Sequence, residues 1–240
     1  MHPSTGSRLP GIEGLRAIAA GSILVFHTWL YGPPGVGSAD LGGLNRFMPD
    51  LGLGVILFFT LSGFLLYRPF AAAILRARPV PSLRRYLRNR ALRILPAYWA
   101  ILLLCATALG SVLFWDASGN LTNGSLLDPG LIARAGLFLQ DYFPGMILLG
   151  IGPAWSLAVE VVFYCMLPLL VVSAVALARR CTSRSSRRWA ALAPAGLILA
   201  FGLTGKLAAV YLAPSPLAPY EDWGQNWHSV LVRGFWCQAD

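Results

Sequence analysis

Arginine and histidine are rare in an apolar helix, yet the stretch GLRAIAAGSILVFHTW carries both, as Arg16 and His27. They are eleven residues apart. At about 100° per residue that separation closes to about 20° beyond three turns, so a helix would project both from one face, about 16 Å apart along its axis. An ionisable group in such a segment faces an interior cavity or a partner more often than lipid. Arg16 alone would serve as a snorkelling anchor and His27 alone as a link to a neighbouring helix; together they read as two stations on one polar path. A carboxylate stands in AWSLAVEVVFY, where Glu160 follows Trp155 and Ser156. A carboxylate and an imidazole at similar depth could act as orienting group and base. A third cluster is PSLRRYLRNRALRILPAYW, with Arg84, Arg85, Arg88, Arg90 and Arg93 within ten residues. It would serve as a topology signal with affinity for anionic lipid. It would equally suit a phosphate-rich ligand, because guanidinium forks grip phosphate oxygens bidentately. Arg90 and Arg93, at i and i+3, share a face.

The elements that must position these residues are membrane helices. Of 240 residues 56% are hydrophobic and 12% charged, with a mean hydropathy of +0.62, more apolar surface than a soluble core of this size buries. Crossing a hydrocarbon core takes about 20 helical residues. Five runs qualify or nearly so: 15–31, 51–67, 94–115, 154–178 and 190–212. The fold class expected is therefore all-α, a polytopic membrane helix bundle. A sixth apolar stretch, 131–152, is interrupted by Gln140, Asp141, Pro144 and glycines and reads as re-entrant or interfacial. Within LFFTLSGFLLYRPF, Ser62 and Gly63 form a small patch suited to close helix packing.

Orientation follows from arginine. Eighteen of the nineteen basic residues are arginine and the net charge is +9. Residues 68–93 hold eight arginines and no acid, residues 179–188 five and no acid, whereas 33–50 and 116–128 are acidic or neutral. Both arginine blocks and the amino terminus are expected in the cytoplasm and 214–240 outside, in a multi-pass protein of the cell membrane. Blocked between apolar runs, the arginines do not form a nucleic-acid surface. The four cysteines do not make a disulfide framework: Cys105 and Cys165 lie in spans, Cys181 on the reducing side, and Cys237 alone outside. No Cys/His cluster has metal-ligand spacing, and no phosphate loop or nucleophile elbow appears.

Taken in order, GLRAIAAGSILVFH, GVILFFTLSGFLLYRPF, RRYLRNRALRILPAYW and AWSLAVEVVFYCMLPLL resemble the consecutive blocks of the acyltransferase-3 family of integral membrane acyltransferases, over residues 11 to about 212. Each block alone is a weak apolar pattern; four in order are specific. The resemblance implies transfer of an acyl group, often acetyl, from cytoplasmic acyl-CoA to a hydroxyl of a carbohydrate, glycolipid or secondary metabolite. Acyl-CoA is then a co-substrate, and neither a further cofactor nor a metal is expected. The resemblance maps a required Arg-x10-His motif onto Arg16 and His27, the arginines before the third span onto Arg90 and Arg93, and the carboxylate of the WSLxVE block onto Glu160. His27 and Glu160 would be the catalytic pair, and Arg16, Arg90 and Arg93 would hold acyl-CoA. Two positions depart from the pattern: Ile56 and Val161 stand where members often carry polar or acidic groups. Members usually have about ten spans, so 1–240 is expected to be a single, incomplete membrane domain. The same charged residues would also suit a transport or flippase-like path, and a shortened chain a non-catalytic remnant.

Overall fold

The computed structural model describes residues 10–30, 42–212 and 227–233. Tyr31, Cys237 and most of the tail expected outside lie beyond the described residues. The chain divides into two compact units, Met1–Arg68 and Pro69–Asp240. The fold class is all-α, a polytopic bundle of membrane-length helices with one small hairpin.

In the first unit, α1 (Pro10–Leu30) is followed by a short 3-10 turn, Pro49–Leu53, that leads into α2 (Gly54–Leu75). The start of α2 packs closely on α1. A Cβ on Gly54 would stand 2.1 Å from Ser22 Oγ and 2.8 Å from the Ala19 carbonyl oxygen, so only a residue without one fits. Ala19 is itself buried.

The second unit holds α3 (Leu83–Leu103), a strand pair β1 (Val112–Trp115) and β2 (Leu121–Gly124), α4 (Pro129–Gly136), α5 (Trp155–Arg179), α6 (Arg184–Tyr211) and α7 (Trp227–Arg233). Side chains of the preceding loops set the helix starts. Ser82 accepts from the Arg85 amide, Ser183 from the Ser186 amide, and Asp128 from the Gly130 and Leu131 amides at 2.7 and 3.1 Å. β1 and β2 pair antiparallel with Val112 opposite Gly124 and Trp115 opposite Leu121, and Asp116 Oδ1 closes the turn by accepting from the Ser118 and Asn120 amides.

The core lies between α3, α4 and the start of α5, where Tyr98 and Leu102 meet Ala135, Phe138, Leu149, Ala154 and Ala158. Tyr98 stacks on Phe138 at 4.5 Å and donates its hydroxyl to the Ala135 carbonyl, and the Trp99 indole donates to the Gly136 carbonyl. Between α4 and α5 the chain runs through turns that bury Gln140 and Asp141. Beside Asp141, burial first and the carboxylate second push the Tyr142 phenol up to about 12. A second core seam, Ile74, Ala174 and Ala191, joins the end of α2 to α5 and α6.

Among the described residues, four helical stretches are long and apolar enough to cross a membrane: Pro49–Leu75, Leu83–Leu109, Gly152–Arg179 and Arg184–Tyr211. Exposed Leu169, Val172, Leu197 and Val210 suit a hydrocarbon solvent. α1, at 21 residues, has the length, but Glu13, Arg16 and His27 keep it outside that apolar class. The third stretch has other bounds than the apolar run at 94–115. The helix starts at Leu83, passes through Pro96 without interruption, continues in a wide π-helical turn Leu104–Leu109, and ends at Gly110 in the left-handed conformation. Residues 112–115 are strand because Gly110 turns the chain and VLFW finds a pairing partner in 121–124. The helix therefore takes in the arginine cluster that the sequence placed ahead of it.

Candidate functional site

On α1 the half-buried positions are Ile12, Arg16, Ser22, Ile23, Phe26, His27 and Trp29, with Ala19 fully buried among them. Their spacing of three and four residues makes one stripe, and Arg16 and His27 both belong to it. Arg16 lays its guanidinium 5.1 Å from the centre of the Phe58 ring, a cation–π contact that lets a charge sit against apolar surface. His27 Nδ1 lies 2.9 Å from the Ile23 carbonyl oxygen, one turn back. A carbonyl can only accept, so in the neutral ring Nδ1 carries the proton and Nε2 carries the lone pair. The edge of the His27 ring meets Phe26 at 5.3 Å, which adds a second restraint on the imidazole. A base held in a fixed tautomer with its lone pair at the outer nitrogen is suited to take a proton from a hydroxyl.

In the second unit α3 and α5 bring two distant charges to one place. Tyr164, one turn after Glu160 on α5, donates its hydroxyl to Glu160 Oε1. Arg90 of α3 reaches over the same ring, its guanidinium 5.8 Å from the centroid. Tyr86, one turn before Arg90, presses edge-on against Phe70 at 5.9 Å. Its hydroxyl is buried without a hydrogen-bond partner among the described residues. Tyr86 and Arg90 stand on one helix, Glu160 and Tyr164 on the other. Arg90 comes seven residues after Leu83, so it lies about 10 Å along α3, inside a helix of membrane length. A cation and a carboxylate bridged by a phenol can persist in such a place, where either charge alone would be costly.

Sequence reasoning named Arg90 and Glu160 separately, and the structure unites them through Tyr164. It separates Arg90 from Arg93, since Arg90 is half-buried against Tyr164 and Arg93 is exposed. Tyr86 and Tyr164 were missed. The signal for both is a spacing of four from a charged residue within an apolar helix, Tyr86 to Arg90 and Glu160 to Tyr164. His27 and Glu160 belong to different units, and each is described in its own surroundings. Among the described residues, no group of three or more His, Cys, Asp or Glu could hold a metal ion.

Comparison with known proteins gives this constellation a family. The chain is 32% identical over 168 residues to acyltransferase MdmB of Streptomyces mycarofaciens, a match that covers 68% of this chain and 39% of that protein. It is 26% identical over 169 residues to O-acetyltransferase OatA of Staphylococcus aureus, covering 68% of this chain and 24% of that one. The chain thus spans well under half the length of these relatives. No solved structure matches. The family model described as an acyltransferase domain, that of acyltransferase-3, matches residues 9–231, and the chain belongs to that family.

Proposed function

We propose that this protein is a membrane O-acyltransferase that moves an acyl group, acetyl among the candidates, from cytoplasmic acyl-CoA to a hydroxyl of a carbohydrate, glycolipid or secondary metabolite. Family membership makes it an acyltransferase with membrane helices. The observation that carries the finer reading is the Arg90–Tyr164–Glu160 cluster, a cation and a carboxylate held together inside helices of membrane length.

In this reading both arginine blocks face the cytoplasm, and Arg16, Arg90 and Arg93 receive the phosphates of CoA. The hydroxyl oxygen of the acceptor attacks the thioester carbonyl carbon. Its proton passes to His27 Nε2, a carbon–oxygen bond forms, and the carbon–sulfur bond breaks. The leaving thiolate takes the proton back from the imidazolium, so CoA departs as the thiol and the base is regenerated. Glu160, held by Tyr164 beside Arg90, is the second catalytic group of this reading.

The test is transfer of labelled acetyl from acetyl-CoA, by membranes carrying the protein, to a panel of sugar and glycolipid hydroxyls. Label in an alkali-labile ester on an acceptor is the expected result. No transfer to any hydroxyl by correctly inserted protein, with any acyl-CoA, would overturn the proposal.

A further inference from the structure

The two arginine blocks lie far apart in sequence and meet in the fold of the second unit. At the end of α2 the Arg78 amide donates to the Ala73 carbonyl at 2.9 Å, around Ala77, whose φ of +50° turns the chain back. The turn lays Val80 against the seam of Ile74, Ala174 and Ala191, which Ala178 also joins. Arg76 and Arg78 flank that seam from the α2 side. From the other side come Arg179, directly after Ala178, and Arg188, three residues before Ala191 and on the same face of α6. All four arginines are exposed, and neither 69–93 nor 179–188 contains an acid. The start of α3 follows Val80 at once, so its first arginines belong to the same basic end.

The helices do not offset this charge. Arg84, Arg85 and Arg184 occupy the first turns of α3 and α6, where the helix dipole opposes a cation. An anion is therefore the fitting partner, and the neighbouring side chains say of what kind. Arg88 and Leu92 on α3, like Arg188 and Leu192 on α6, stand four residues apart and share a face. Leu92 is 64% and Leu192 59% exposed. Trp189, beside Arg188, is exposed near the start of a membrane-length helix, a place where indole suits the headgroup level. A soluble phosphate would meet the guanidinium groups alone, whereas a phospholipid would meet both kinds of side chain.

We infer that the two arginine blocks form one binding surface for anionic phospholipid. Guanidinium groups of both blocks hold the headgroup phosphate, and Leu92, Trp189 and Leu192 line the first part of the acyl chains. This surface binds lipid whether or not the protein transfers an acyl group.

The test is titration of the purified full chain, in detergent, with phosphatidylglycerol or phosphatidylcholine, with bound lipid counted by native mass spectrometry. Wild type should prefer phosphatidylglycerol by about tenfold or more, and added salt should weaken the preference. The pair Arg85→Gln and Arg88→Gln, or the pair Arg184→Gln and Arg188→Gln, should each weaken all the tight phosphatidylglycerol sites by about 10- to 30-fold, because both blocks touch the same headgroups. Lysine at these positions keeps the charge and the insertion signal and should retain most of the preference. Equal affinity of wild type for the two lipids would overturn the inference, as would displacement of phosphatidylglycerol by equimolar glycerol phosphate. Equal losses in lysine and glutamine variants would make folding and not charge the cause, and would overturn it too. If either glutamine pair left part of the tight lipid at wild-type affinity, the blocks would be separate surfaces and the single one would be refuted.

Discussion

The Tyr164 hydroxyl donates to the Glu160 carboxylate from one turn further along α5, beneath the Arg90 guanidinium of α3. The bond restricts a carboxylate that would otherwise rotate freely in an apolar helix, and it ties the negative member of the cluster to the positive one. A hydrogen bond to a charged group contributes about 1.5–3 kcal/mol. Tyr164→Phe should therefore lower kcat/KM for acyl transfer by about 10- to 100-fold. Because Tyr164 acts through Glu160, the loss should not add to that of Glu160→Gln, and a double-mutant cycle on transfer rates reads this coupling directly. Fully additive losses would mean that the two side chains act separately.

The two arginines that the sequence paired should part company in kinetics. Arg90 is half-buried over Tyr164, whereas Arg93 is exposed at the surface of the same helix. Arg90→Ala should raise the apparent KM for acyl-CoA and lower kcat, since it removes phosphate contacts and leaves Glu160 without its cation. Arg93→Ala should raise the apparent KM for acyl-CoA through its lost phosphate contact but leave kcat near wild type, because Arg93 is exposed and it is Arg90 that lies over Tyr164. Saturation curves in acyl-CoA for both variants check this, and equal effects would assign the donor to the surface cluster as a whole.

The junction of α1 and α2 makes a prediction about stability. At Gly54 a methyl group would meet Ser22 Oγ at 2.1 Å and the Ala19 carbonyl at 2.8 Å. The serine side chain can turn away, but the carbonyl belongs to a helix backbone and cannot. Gly54→Ala should destabilise the first unit by about 1–3 kcal/mol. Adding Ser22→Ala should recover only part of the loss. Thermal unfolding of the detergent-solubilised variants measures both, and full recovery in the double variant would place the whole conflict at Ser22.

Much of this arrangement was legible in the sequence because helices have a fixed period. The 3.6-residue repeat predicts that Arg16 and His27 share a face, and both fall on the half-buried stripe of α1. Membrane-length runs were legible from hydropathy, since lipid permits little besides helices there. Boundaries were less so. Residues 94–115 read as one apolar run because hydropathy does not register Gly110, whose left-handed backbone ends the helix and releases 112–115 into a hairpin. Arg90 lies within a membrane-length helix and not before one because the helix already starts at Leu83, where Ser82 caps it. Tyr86 and Tyr164 escaped notice because tyrosine is common at membrane interfaces and its composition carries no charge signal. Only the meeting of α3 with α5, a contact between residues more than seventy positions apart, shows that Tyr164 lies between Arg90 and Glu160.

Central to the proposed mechanism is that His27 takes the proton from the acceptor hydroxyl. Its Nδ1 is held by the Ile23 carbonyl, which leaves the lone pair on Nε2. Glutamine at this position keeps a hydrogen-bonding side chain of similar reach but cannot serve as a base. Acetyl transfer from acetyl-CoA by membranes carrying His27→Gln, measured against wild type at saturating donor, is the most direct test. The expected result is a fall in kcat of about 10²- to 10⁴-fold with acyl-CoA affinity retained. Near-wild-type turnover in His27→Gln would contradict this mechanism and leave His27 as a helix-packing residue.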